Sequence, residues 1–279
     1  MSDPDSLEDI RKILIALDAS PASQAALQLA AELAVRHEAE LIGIYVEDIN
    51  LLRSAEIPII HEVGAYSAIS RRMDRKHIES ELRAQANRVE QLLARIARRT
   101  NLRWSFRSVR GLIPLELISA AENVDLIILG KKGWSAGVQI GSTARHLAAL
   151  APVQSLIMER IIHPGTPVLV IYDGSAKSEK ALKTASHICT PGSILTILIL
   201  AADRRLAEEM FQDLEPWIAE QAFQVQFRWV PDLESQRIAN LAHLLGCELV
   251  VLPAESPYFR PAAISSMLED AKCAVLLVR

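Results

Sequence analysis

Short aliphatic runs alternate along this chain with stretches whose apolar residues recur at helical spacing. The first run, Arg11–Asp18 (RKILIALD), ends on an acidic residue and leads through Ser20, Pro21 and Ser23 into an Ala/Leu-rich helical stretch, Gln24–His37. Pro167–Asp173 (PVLVIYD) repeats the pattern, with Gly174, Ser175 and Ser178 and then helical Glu179–His187. Asp18 and Asp173 stand 155 residues apart, which predicts an internal duplication. Second strands are expected at Leu41–Val46 and Ile194–Leu200, and third strands at Leu102–Val109 and Phe223–Val230. Fourth strands follow at Val124–Gly130 and Cys247–Pro253, and fifth strands at Val153–Met158 and Ala274–Val278. Runs that are apolar throughout indicate parallel strands covered on both faces by the intervening helices. The fold class is therefore α/β, doubly wound, in two domains. These are residues 1–160 and 161–279, with the linker near Arg160–Thr166, where Pro and Gly interrupt the pattern.

The halves are unequal. Asp18 to Gly130 spans 112 residues and Asp173 to Pro253 spans 80; the extra 32 fall between strands two and three of the first half. This insertion reads as a loop, Asn50–Ser70, and a long helix, Arg71–Arg99. The helix holds nine Arg/Lys against four Asp/Glu, enough to suit an acidic partner. Its apolar stripe of Ile78, Leu82, Val89, Leu92, Leu93 and Ile96 equally describes a docked helix with a solvated outer face.

Composition narrows the function classes. The chain has 279 residues, half of them hydrophobic, 23% charged and only 5% aromatic, so aliphatic side chains must fill the cores. A net charge of −4 argues against a dedicated nucleic-acid binder. The longest apolar run, Ile194–Ala202, is well short of the ~20 residues of a membrane span. The polar, acidic start (MSDPDSLEDIRK) shows no signal peptide. Cys189, Cys247 and Cys273 are scattered and suggest reduced thiols in a cytoplasmic protein, and none of the seven histidines forms a close metal pair.

The segment that carries chemistry is Gly130–Thr143 (GKKGWSAGVQIGST), between the fourth strand and the helical stretch Ala144–Leu150. Ligands of parallel α/β sheets bind outside the carboxyl ends of the strands. Glycines let backbone approach a ligand, and a helix N-terminus offers unpaired N–H groups and partial positive charge. Ser142 and Thr143 add hydroxyls, and Lys131 and Lys132 add positive charge, so the segment suits phosphate. A plain flexible connection is the alternative. No GK[ST] closes the loop and no GxGxxG follows the first strand, so neither a P-loop enzyme nor a dinucleotide dehydrogenase is indicated.

The chain resembles a tandem universal stress protein over nearly its whole length. The resemblance rests on LDASPAS and YDGSAKS after the two opening strands, Tyr45-Val46 closing the second strand, VRGLIPLELISAAENVDLIILG, and the glycine loop followed by Ala151-Pro152-Val153. It implies two Rossmann-like domains of the adenine nucleotide α-hydrolase-like type, related by a pseudo-twofold axis. It also implies an adenine nucleotide in the first domain: ATP, ADP or AMP, with Mg2+ allowed as a companion ion. In the ATP-binding branch the loop reads G-x2-G-x9-G-[ST]. Gly130, Gly133, Gly141 and Ser142 match, but seven residues rather than nine separate Gly133 from Gly141. The adenosine contacts carry over to Ala16, Leu17, Asp18 and Val46, and the phosphate contacts to Gly130, Lys131, Gly133, Gly141, Ser142 and Thr143. Asp18 equally suits a turn or helix-cap role.

The second half lacks the loop. Pro253-Ala254-Glu255-Ser256-Pro257 follows its fourth strand, so weak or no nucleotide binding is expected there. Trp217, Tyr258 and Phe259 read as packing residues or as an interface. The leading expectation is a stress-response protein acting as a nucleotide-responsive binding module, with an adenine nucleotide and a protein partner, pairing of its two domains and homodimerisation allowed, and neither nucleic acid nor membrane. A nucleotide-independent scaffold and a slow ATPase or autokinase are the rivals; no catalytic residue stands out.

Overall fold

The computed structural model describes residues 10–56, 61–63, 70–72, 74–133, 140–162, 165–230, 235–256, 258 and 261–279. Trp134, Ser135, Gly137, His163, Pro257 and Phe259 lie outside them. The first half runs β1 (Lys12–Ala16), α1 (Pro21–Arg36), β2 (Glu40–Asp48), α2 (Ile49–Ser54), β3 (His61–Val63), β4 (Ser70–Arg72), α3 (Arg75–Thr100), β5 (Trp104–Gly111), α4 (Ile113–Ala121), β6 (Leu126–Gly130), α5 (Ser142–Leu150) and β7 (Gln154–Met158). The second runs β8 (Val168–Tyr172), α6 (Ala176–Ile188), β9 (Ile194–Ile199), α7 (Arg204–Ala219), β10 (Gln224–Trp229), α8 (Ser235–Leu244), β11 (Leu249–Pro253), α9 (Pro261–Asp270) and β12 (Ala274–Val278).

Ten strands form one sheet in the order β10-β9-β8-β11-β12-β7-β6-β1-β2-β5. Each half contributes five parallel strands in the doubly wound order 3-2-1-4-5. The fully buried patterns of β7, β8, β11 and β12 show why these strands are apolar throughout: both faces are covered. One core layer gathers α1, α3, α6 and α7, the other α4, α5, α8 and α9. The halves join where β12 pairs antiparallel with β7, Leu276 opposite Leu156. Two cations bridge the same join. Lys131 Nζ donates to the carbonyls of Ala271 (2.6 Å) and Glu269 (3.3 Å) at the end of α9. Arg279 Nη2 donates to the carbonyl of Ala148 (2.7 Å) near the end of α5. Basic groups at helix C-termini satisfy carbonyls left without intrahelical donors.

Local chemistry sets the helix starts. Ser20 caps α1 by accepting from the Ser23 amide at 3.1 Å, and Pro21 occupies the first turn. Asp48 caps α2 and Asp74 caps α3. The loop expected over Asn50–Ser70 is thus corrected: α2 occupies its start, with Leu52 buried, and β3 pairs antiparallel with β4. The long helix begins at Arg75 rather than Arg71, because the Asp74 cap fixes it. Its buried stripe is Ile78, Leu82, Ala86, Val89, Leu93 and Ala97.

Candidate functional site

A cleft of about 730 Å3 opens at the carboxyl ends of β1, β2 and β6. β1 ends its pairing with β2 at Ala16, opposite Ile44, and the Leu17 amide donates a last bond to the Ile44 carbonyl at 2.9 Å. β2 continues along β5 as far as Asp48. Because a strand residue's N–H and C=O point to the same side and alternate along the chain, Val46 directs both toward the edge that β1 has left. Val46 lines the cleft.

The turn after β1 fixes Asp18. Its Oδ1 accepts from the Ser20 amide at 2.9 Å, its own amide approaches Ser23 Oγ at 3.3 Å, and Ala19 takes φ 62° to make the bend. Asp18 therefore forms the turn, while Ser20 is the helix cap. The other carboxylate oxygen faces Gly133: a Cβ there would stand 3.1 Å from Oδ2. Gly130 is needed for packing, since a Cβ would lie 3.0 Å from Ala22 Cβ and 3.2 Å from the Ser23 nitrogen. Gly141 has no such constraint; its φ is −68° and a Cβ would meet only the Lys131 carbonyl at 3.6 Å. None of these three glycines takes a positive φ.

The Lys131 amide donates to the Met158 carbonyl (2.7 Å), and its carbonyl accepts from the Gly141 amide (2.9 Å). This closes the base of the loop and occupies the Gly141 N–H. α5 then begins with no side-chain cap. The amides of Ser142, Thr143 and Ala144 belong to its first turn, which has no intrahelical acceptors. All three residues line the cleft.

All ten residues singled out from the sequence (Ala16, Leu17, Asp18, Val46, Gly130, Lys131, Gly133, Gly141, Ser142 and Thr143) line this one cavity. Lys131 is a buried residue, and its ammonium is turned to the carbonyls at the end of α9 rather than into the cleft. Burial lowers its pKa, opposed by Glu159. Lys132 pairs with Glu159 at 2.9 Å, and His146 Nδ1 lies 2.8 Å from the Ser142 carbonyl, one turn back on its own helix. The sequence reasoning missed the cover of the cleft, supplied by Leu51 of α2 and by Leu82 and Gln85 of α3. Tyr45 donates to Gln85 Oε1 at 2.8 Å; burial, with Glu47 and Asp18 nearby, pushes its pKa up to about 12 and keeps it a neutral donor. The unequal length of the halves was the signal for this cover.

In the second half, Asp173 Oδ1 accepts from the Ser175 amide (3.0 Å), as Asp18 does from Ser20. Its Oδ2 accepts from Ser256 Oγ at 2.7 Å, so a hydroxyl of the segment after β11 occupies the oxygen equivalent to the one facing Gly133. Burial pushes the Asp173 pKa up, but the bonds from Ser175 and Ser256 outweigh it and hold the carboxyl below its ordinary value. Among the described residues no His/Cys/Asp/Glu cluster could hold a metal ion, and no helix is long and apolar enough to cross a membrane.

The model of the universal stress protein family matches residues 9–158. A universal stress protein from Archaeoglobus fulgidus DSM 4304 is 17% identical, with 96% of each chain covered and a TM-score of 0.72. A functionally unknown protein from Pseudomonas aeruginosa PAO1 is 16% identical, covering 98% of this chain and 93% of its own, with a TM-score of 0.63. No curated protein matches the chain. These likenesses share the fold over both halves, and the family match spans more than half of the chain. With two doubly wound halves and a family match over more than half of its length, the chain belongs to the universal stress protein family.

Proposed function

We propose that the first-half cleft binds one adenine nucleotide (ATP, ADP or AMP) and that the protein is a nucleotide-responsive binding module of the stress response. The observation that carries this reading is the joint presence, around one cavity, of the β2 edge at Val46, the Asp18 carboxylate and the first turn of α5. The Val46 main chain offers one donor and one acceptor, the pattern of the adenine Watson–Crick edge. Asp18 accepts from ribose hydroxyls. The amides of Ser142 and Thr143, with their hydroxyls, receive phosphate at the positive end of α5. Lys131 contributes through its main chain alone. A triphosphate would carry Mg2+ with it. The chain divides in this reading into 1–160, which holds the site, and 161–279, in which Ser256 replaces the ligand at Asp173.

The test is mass spectrometry of the gently purified protein, native and then denatured, followed by calorimetry with ATP and AMP. One adenine nucleotide per chain is expected. Two per chain would overturn the assignment of the second half. No nucleotide and no affinity for either ligand would overturn the proposal and favour a nucleotide-independent scaffold.

A further inference from the structure

Among the described residues, the charged side chains that line the first-half cleft are Asp18, Asp48, Lys131 and Lys132. Both lysines are engaged elsewhere. The Lys131 ammonium is held by the carbonyls of Ala271 and Glu269 at the end of α9. Lys132 Nζ stands 2.9 Å from Glu159 Oε1. Arg145 of α5 pairs with Glu269 at 2.8 Å. Residues 134–139 (WSAGVQ) contain no Lys, Arg or His. The charge left to the cleft is therefore that of two carboxylates.

The donors at the start of α5 are limited in the same way. The Gly141 amide is bonded to the Lys131 carbonyl at 2.9 Å, and the Arg145 amide to the Gly141 carbonyl at 3.2 Å. Between them, the amides of Ser142, Thr143 and Ala144 have no acceptor among the described residues. Three N–H groups at a helix N-terminus match the three oxygens of one terminal phosphate group. A second and a third phosphate would find both lysines already bonded. They would also bring about two more negative charges to a cleft that holds Asp18 and Asp48.

We infer that this cleft selects a nucleoside monophosphate over a di- or triphosphate, its one phosphate seated on the first turn of α5. The inference rests on the adenine nucleotide reading above and narrows it to AMP. The selecting feature is the diversion of both lysines, Lys131 across the join to α9 and Lys132 to Glu159. A triphosphate could recruit Lys132 only by breaking that ion pair.

The experiment is calorimetry of the full chain with adenosine, AMP and ATP, in EDTA and again in excess Mg2+. AMP should bind at least about tenfold tighter than ATP in EDTA, since each unit charge near 4 Å weighs about fivefold even in water. Mg2+ should reduce that preference without reversing it. AMP should also bind at least about fivefold tighter than adenosine, which lacks the phosphate. Glu159→Gln releases Lys132 and should tighten ATP about fivefold, with AMP changed by less than about twofold. The ion pair is partly exposed, so this change spares the fold. ATP binding as tightly as AMP, adenosine binding as tightly as AMP, or an AMP-to-ATP ratio untouched by Glu159→Gln would overturn the inference and leave the adenine reading standing. Failure of all three ligands to bind would remove that reading and the inference with it.

Discussion

Replacing Lys131 by Met separates two roles for the lysine. A phosphate ligand would be lost to nucleotide binding; a helix cap would be lost to stability. The geometry favours the cap, since the ammonium donates at 2.6 Å and 3.3 Å to the last carbonyls of α9. A hydrogen bond from a charged donor contributes about 1.5–3 kcal/mol, and a cation at a helix C-terminus about 0.3–1. Against this stands the cost of burying the charge, which is several kcal/mol before its partners are counted. Methionine keeps the apolar stem and removes that cost, but leaves the Ala271 carbonyl without its donor. The net expectation is a loss of roughly 1–2 kcal/mol, or a few degrees of Tm for a chain of this size. The affinity for AMP or ATP should stay within about twofold. The pH dependence supplies a second readout. Burial lowers the Lys131 pKa below its ordinary 10.5, so between the folded and unfolded values the unfolded chain binds more protons. Stability of the parent therefore gains from this group as pH rises through that window, and Lys131→Met should lack the gain. An unchanged Tm with strongly weakened nucleotide binding would refute the cap and return the lysine to the phosphates.

Other substitutions test the site and its frame. Gly133→Asp brings a second carboxylate toward Asp18 Oδ2, 3.1 Å from the Cβ position. The new carboxylate would repel a phosphate about 4 Å away by about 1 kcal/mol in water and about 4 near a protein surface, so nucleotide affinity should fall about fivefold to a thousandfold, while its repulsion from Asp18 lowers Tm. Gly141→Ala, whose Cβ meets only ordinary contact, should retain the parent's calorimetric affinity. Ala19→Gly should add up to about 1 kcal/mol of stability and so raise Tm, because φ 62° strains alanine and suits glycine, as Gly174 at φ 76° shows in the second half. Ser256→Ala removes the donor to Asp173 Oδ2 and should cost about 1–3 kcal/mol. The depressed Asp173 pKa adds stability that is present above the unfolded value and lost as pH falls through the folded one. In Ser256→Ala that acid-sensitive part, read from denaturation at successive pH values, should shrink.

Much of this was legible in the residues. The central strands followed from aliphatic runs, because a parallel strand covered on both faces needs no polar alternation, whereas the edge strands β5 (WSFRSVRG) and β10 (QVQFRW) carry polar residues throughout. The cleft was legible because the chain order strand–turn–helix places Asp18 and the α5 start at one sheet edge. What escaped was set at a distance. Lys131 finds its carbonyl 140 residues away, on a helix of the other half, and no local pattern announces such a pairing. The cover over the cleft escaped because INLLRS is too short to show helical periodicity; its Asp48 cap and buried Leu52 make it a helix only in place.

The two cations at the join have an evolutionary consequence. Lys131 follows β6, and the equivalent residue after β11 is Ala254; each amide bonds the last residue of its neighbouring fifth strand. Arg279 follows β12, and the equivalent residue after β7 is Glu159. Each half thus lends the other a cation from a position where its own duplicate has none. Two copies of one gene product must change such positions together, on both sides of the axis at once. Repeats carried on one chain are free of that constraint, so each side of the seam can hold its own residue while both helix ends stay capped. The asymmetry is one that a single chain permits and a homodimer of identical subunits does not.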